Sequence, residues 1–72
     1  MEPNCWLVFQ WEYDEGDKCW KHCVRGVFNS KASANALCTS DMFYVFPMTM
    51  NEVIPEGPFE NPVAYYPHGE PR

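Results

Sequence analysis

Cys5-Trp6-Leu7-Val8-Phe9-Gln10-Trp11-Glu12-Tyr13 decides the fold. Every odd position in it is apolar, so a strand built from it has one face that is hydrophobic along its whole length. The even positions carry Trp6, Val8, Gln10 and Glu12. The run breaks at Asp14-Glu15-Gly16-Asp17, and a second extended run follows from Lys18 to Phe28. Glu15-Gly16 is expected to form a two-residue turn, because Gly tolerates the positive φ such turns require. Opposed residues then pair Tyr13 with Lys18, Trp11 with Trp20, Phe9 with His22, Leu7 with Val24 and Cys5 with Gly26. This register collects Leu7, Phe9, Trp11, Trp20, Val24 and, further on, Phe28 into one apolar stripe.

Outward from the hairpin, Asn29-Ser30 stops the second strand, and Ser30 is a good N-cap. Lys31-Ala-Ser-Ala-Asn-Ala-Leu-Cys38 then reads as a short helix. Ala34, Leu37 and Cys38 lie at i, i+3, i+4 and are expected to face the sheet. A third strand is expected over residues 42–50. Pro47 cannot donate to a ladder, which makes this an edge strand or one with a bulge. A right-handed crossover through the helix places it beside the first strand, in spatial order 2-1-3. The expected fold is α+β: a three-stranded antiparallel sheet, β-β-α-β, with one helix on one face. Residues 1–54 form this domain. Residues 55–72 hold Pro55, Pro58, Pro62, Pro67 and Pro71 and read as an extended or disordered tail. Its Phe59, Tyr65 and Tyr66 leave open whether it is free or wraps back onto the domain.

A chain of 72 residues supports one small core. It buries only about 60% of its unfolded surface, so it depends on large core residues, staples or association. Three Trp, four Tyr and five Phe supply the first of these. The net charge of −5 argues against generic nucleic-acid or membrane binding. The charge is uneven: residues 18–40 contain Lys18, Lys21, Arg25 and Lys31 and no acid. Met-Glu-Pro-Asn at the start has no basic n-region, and no apolar run approaches the ~18–20 residues of a membrane span. With four Cys, this predicts reduced thiols in a cytoplasm.

Cys19-Trp-Lys-His-Cys23 looks at first like a metal or redox motif. Four residues apart in a strand, the two thiols lie about 13 Å apart at ~3.3 Å per residue. They cannot then share an ion or form a disulfide with each other. The reading is of structural or incidental cysteines, with a metal or a disulfide as minor alternatives. His22 is expected on the core face as a packing histidine, since no nucleophile or carboxylate stands at matching spacing. His68 lies in the tail with no evident partner. The acids Glu12, Asp14, Glu15 and Asp17 lack calcium-loop spacing and read as a solvated hairpin tip. No cofactor, metal set or nucleophile–base pair can be assembled from spacing, so no enzyme activity is expected.

One short helix covers one face of a three-stranded sheet. The opposite face, with Trp6, Val8, Gln10 and Glu12 against Cys19, Lys21, Cys23 and Arg25, is expected to be open to the tail, a second copy or a partner. Trp and Arg are enriched in interface hot spots. Trp6, Lys21 and Arg25, with Tyr65 and Tyr66 of the tail, are therefore the expected partner-binding residues. Glu12, Asp14, Glu15 and Asp17 would steer association with a basic partner.

Trp6-Leu-Val-Phe, the turn, Val24-Arg-Gly-Val-Phe-Asn-Ser-Lys-Ala-Ser-Ala34 and Phe43-Tyr-Val-Phe-Pro-Met together resemble small phage-encoded ββαβ accessory proteins. In those, a hairpin ends in a Gly-Val-Phe-Ser-type run, enters a short Ala-rich helix and returns in an aromatic strand. The resemblance covers roughly residues 5–54; the Pro-rich tail and the cysteines depart from it. It implies a phage origin, a bacterial cytoplasm and roles such as inhibiting host defence or transcription machinery, and it transfers no functional residue. The expected function is non-catalytic protein binding, with a host protein as partner or a homodimer. The alternatives are an oligomer sequestering a nucleotide, stacked on aromatics with Lys21 and Arg25 on phosphate, and an acidic DNA mimic.

Overall fold

The computed structural model describes residues 2–69. Its elements are β1 (Cys5–Asp14), β2 (Cys19–Phe28), α1 (Lys31–Leu37) and β3 (Phe43–Met48), followed by a short 3-10 turn at Pro58–Glu60. The sheet is antiparallel throughout, in the order β2-β1-β3. The α+β class and the central place of β1 are those the sequence predicts.

The turn is longer than predicted. Residues 15–18 form the loop, with Lys18 at φ +53°. Asp14 Oδ1 accepts from the N–H of Gly16 at 2.9 Å and of Asp17 at 3.1 Å. A type I′ two-residue turn would have required positive φ at Glu15 as well, which a Cβ resists. The longer loop moves the pairing by two, to Tyr13–Trp20, Trp11–His22 and Phe9–Val24. A slip of two keeps each side chain on its predicted face. A second irregularity does not. Phe9 pairs with Val24 while Val8 pairs with Gly26, so Arg25 is the extra residue of a bulge. The alternation reverses there, and Phe28 lands opposite Trp6 rather than on the Leu7 face.

The helix consequently lies on the face opposite to the expected one. Val8, Ala34, Cys38 and Val45 are buried together, with Trp6, Phe28, Phe43 and Tyr65 around them. The bulge turns the end of β2 toward the Trp6 side, and the small side chains of Ala34 and Cys38 let the helix lie close. Leu37 keeps 36% of its surface exposed, at the rim rather than in the core. Gly26 permits the approach: a Cβ there would stand 2.8 Å from Phe28 Cε2 and 3.5 Å from Leu37 Cδ2. Ser30 caps the helix as expected, its Oγ accepting from Ser33 N–H at 3.4 Å.

The other face buries Cys5, Leu7, Phe9, Tyr44, Phe46 and Met48, and the tail covers it. Tyr65 pairs with Val45 on the outer edge of β3 through two backbone bonds of 2.8 and 2.9 Å. Neighbours in an extended segment point to opposite sides. Tyr65 thus reaches the helix face, while Tyr66 packs on the Leu7 face, its ring centroid 5.4 Å from that of Tyr44. Tyr66 Oη accepts from Trp11 Nε1 at 2.9 Å. Pro47 sits two residues from Val45 on the same outer edge, where its missing N–H leaves no ladder bond unmade. Of the segment 55–72, residues 58–66 are thus built into the domain, and the last three residues lie outside those described.

Candidate protein-binding surface

The structure disperses the expected partner-binding residues. Trp6 and Tyr65 meet beside α1, where with Pro3, Lys31 and Pro47 they line a shallow open depression. Lys31 Nζ lies 5.3 Å above the Tyr65 ring. Tyr65 Oη donates to Asn35 Oδ1 at 2.7 Å, and burial pushes its hydroxyl pKa up. Tyr66 is on the other side of the sheet, occupied with Trp11 and Tyr44.

Lys21 and Arg25 project from β2, but neither cation stands alone. Lys21 Nζ is 2.9 Å from Asp14 Oδ2 and also bridges to Asp17. Arg25 Nε donates to Gln10 Oε1 at 2.6 Å, and its guanidinium pairs with Glu12. The hydrogen bond from Lys21, then that from Asp17 N–H, holds the Asp14 carboxyl below the usual range. Asp17, then Asp14, pushes the Lys21 ammonium up. The basic stretch is thus folded onto the acids of its own hairpin. Of the four expected steering acids only Glu15 has no ion pair among the described residues.

Exposed apolar side chains lie elsewhere, singly at Met50, Val53, Ile54 and Val63 and together on the hairpin. Tyr13, Trp20, Val24 and Val27 lie along the Leu7 side of the hairpin, beyond the reach of the tail, whose Phe59 touches β2 at His22. Trp20 is 56% and Val27 61% exposed. Tyr13 and Trp20 meet edge to face with centroids 5.4 Å apart. Phe59 of the tail closes the inner border against Trp11 at 4.9 Å and His22 at 5.6 Å. The alternation of the sequence alone puts Trp20 and Val24 under the helix, which hides this strip. The available signal was that β1 is apolar on both faces while β2 is an edge strand, so a narrow cover would leave part of β2 bare.

The remaining chemistry-bearing residues lie outside the four that form this strip. His22 Nδ1 and Tyr44 Oη are 2.9 Å apart inside the aromatic cluster, and burial pushes the Tyr44 hydroxyl far up. His68 Nε2 lies 2.7 Å from the Cys38 carbonyl oxygen at the end of α1. All four cysteines are free, with Cys5 and Cys38 buried, Cys23 half-buried and Cys19 exposed. Burial pushes the Cys38 thiol up. Among the described residues no three His, Cys, Asp or Glu side chains converge as a metal set. Nor is any helix among them long and apolar enough to cross a membrane. Comparison with protein-family models, curated proteins and solved structures finds no match to this chain.

Proposed function

We propose that this chain is a non-catalytic protein-binding module whose contact surface is the strip Tyr13, Trp20, Val24 and Val27. The observation that carries this reading is the exposure of those four apolar side chains along one face of the hairpin. Contiguous exposed apolar surface usually marks an interaction site, and Trp and Tyr are the residues that most often anchor one. The resemblance to small phage-encoded proteins supplies the kind of partner: a protein of a bacterial host, bound in the cytoplasm, whose own surface is occluded. The nucleotide alternative drew on Lys21 and Arg25 as phosphate ligands, and both are taken up by hairpin carboxylates. The DNA-mimic alternative drew on the acids, three of which are paired in the same way.

The test is affinity capture from bacterial lysate with the full chain, in parallel with Trp20→Ala and with Trp6→Ala. The reading expects one protein to be enriched by the wild type and by Trp6→Ala and lost with Trp20→Ala. Capture that survives Trp20→Ala, or no enrichment at all, counts against it.

A further inference from the structure

We propose that the open edge of β2 is taken by a second copy of this chain, strand against strand, in an antiparallel pairing centred on His22. The backbone geometry carries this. Trp11 N–H donates to the Met42 carbonyl at 2.8 Å, so the odd residues of β1 bond toward β3 and the even residues toward β2. Lys21 and Cys23, opposite Glu12 and Gln10, therefore bond inward. By the same alternation Trp20, His22 and Val24, opposite the odd residues of β1, turn N–H and C=O outward, and among the described residues no turn or loop bond reaches them.

The two edges of the sheet are treated differently. The edge of β3 is closed by Tyr65 and by Pro47. The edge of β2 has no proline, and among the described residues no strand pairs with it. Lysines and bulges are the usual guards of an exposed edge. Here Lys21 and Arg25 are drawn back onto Asp14, Asp17 and Glu12, and the bulge comes only at Arg25. Residues 20–24 keep a regular register up to that bulge.

That segment is complementary to itself. With His22 on the two-fold axis, Trp20 of each copy stands opposite Val24 of the other, an aromatic against a β-branched side chain. The three outward residues then exchange backbone bonds with the three outward residues of the other copy. Neighbouring registers are worse. Centring on Lys21 sets two lysines directly opposite each other. Centring on Cys23 sets Lys21 against Arg25 and runs the ladder into Gly26, whose backbone the bulge has turned inward. A His22-centred pair also joins the two exposed strips into one band across a six-stranded sheet. Use of that band by a partner rests on the function proposed above; the pairing itself does not.

The experiment is light scattering on the full chain in reducing buffer over a roughly hundred-fold range of concentration, since self-association follows mass action. The mass should rise from 8.4 kDa toward twice that value. Val24→Lys, at a half-exposed position, should keep its circular dichroism and stay at the single-chain mass. A second variant reports the register. Lys21 lies across from Cys23 of the other copy, in the narrow pair whose Cα separation of about 4.5 Å suits a disulfide. Lys21→Cys combined with Cys19→Ser should therefore form a covalent dimer on oxidation. A wild type that keeps the single-chain mass, a dimer indifferent to Val24→Lys, or a dimer that fails to cross-link each overturns the proposal. A single chain that still captures a partner overturns the pairing alone. A dimer that captures none supports the pairing and overturns the function.

Discussion

Tyr66→Phe tests whether the tail belongs to the core. The change removes one oxygen and leaves the ring against Tyr44. Trp11 Nε1 then loses its acceptor at 2.9 Å. A net hydrogen bond contributes about 0.5–1.5 kcal/mol, and both partners here are half-buried, so a loss of about 1 kcal/mol is expected. In a domain this small that corresponds to roughly 4–8 °C in Tm. Tyr66→Ala also removes the ring. A fully buried aromatic costs about 3–5 kcal/mol on truncation, and the partial exposure of Tyr66 scales this to about 2–3 kcal/mol. The assay is urea and thermal unfolding followed by circular dichroism and by tryptophan fluorescence. A double-mutant cycle with Trp11→Phe should return a coupling of about 1 kcal/mol. If Tyr66→Ala falls within about 0.5 kcal/mol of wild type, the range of a neutral surface change, the docking of the tail contributes nothing and the reasoning fails.

Gly26→Ala should destabilise by about 1–3 kcal/mol, because the new Cβ meets the Phe28 ring at 2.8 Å. An unchanged or raised urea midpoint at constant m would show that the ring yields freely. Ser30→Ala should cost about 0.5–1 kcal/mol through loss of the cap, and Ser30→Gly only a few tenths; equal losses for the two would point away from capping. Asp14 should titrate below an ordinary aspartate by NMR and move back toward it in Lys21→Met. Its folded pKa is depressed, so its contribution is complete above the unfolded pKa and is lost as pH falls through the folded one. The stabilities of wild type and Lys21→Met should therefore converge in acid, and an identical Asp14 pKa in the two proteins would contradict the assignment.

Much of the local structure is legible because its causes are local. The odd-position alternation of Cys5 to Tyr13 makes a strand whatever it packs on. Ser30 followed by three alanines starts a helix and keeps it slim, and Pro47 admits only an edge or a bulge. The crossover rule then orders the strands without any side chain being consulted. The candidate site is less legible. Trp20 and Val24 are recognisable as strand residues, but their exposure depends on what the helix and the tail leave uncovered. Lys21 and Arg25 read as free bases because their carboxylate partners are assigned only once the register is known.

By itself, then, the sequence determined the elements, their order and the class of the fold. The tertiary structure decided the register, the face that carries the helix and the docking of the tail. The physical reason lies in β1 and in the turn. β1 is apolar on both faces, with Trp6 and Val8 on one and Leu7 and Phe9 on the other, so periodicity cannot say which face the helix takes. The loop after Asp14 is set by the capping bonds of its carboxylate, and a single bulged residue at Arg25 reverses every side chain beyond it. These choices are settled only when competing covers, a helix of small residues and a tail of aromatics, are packed against the same sheet.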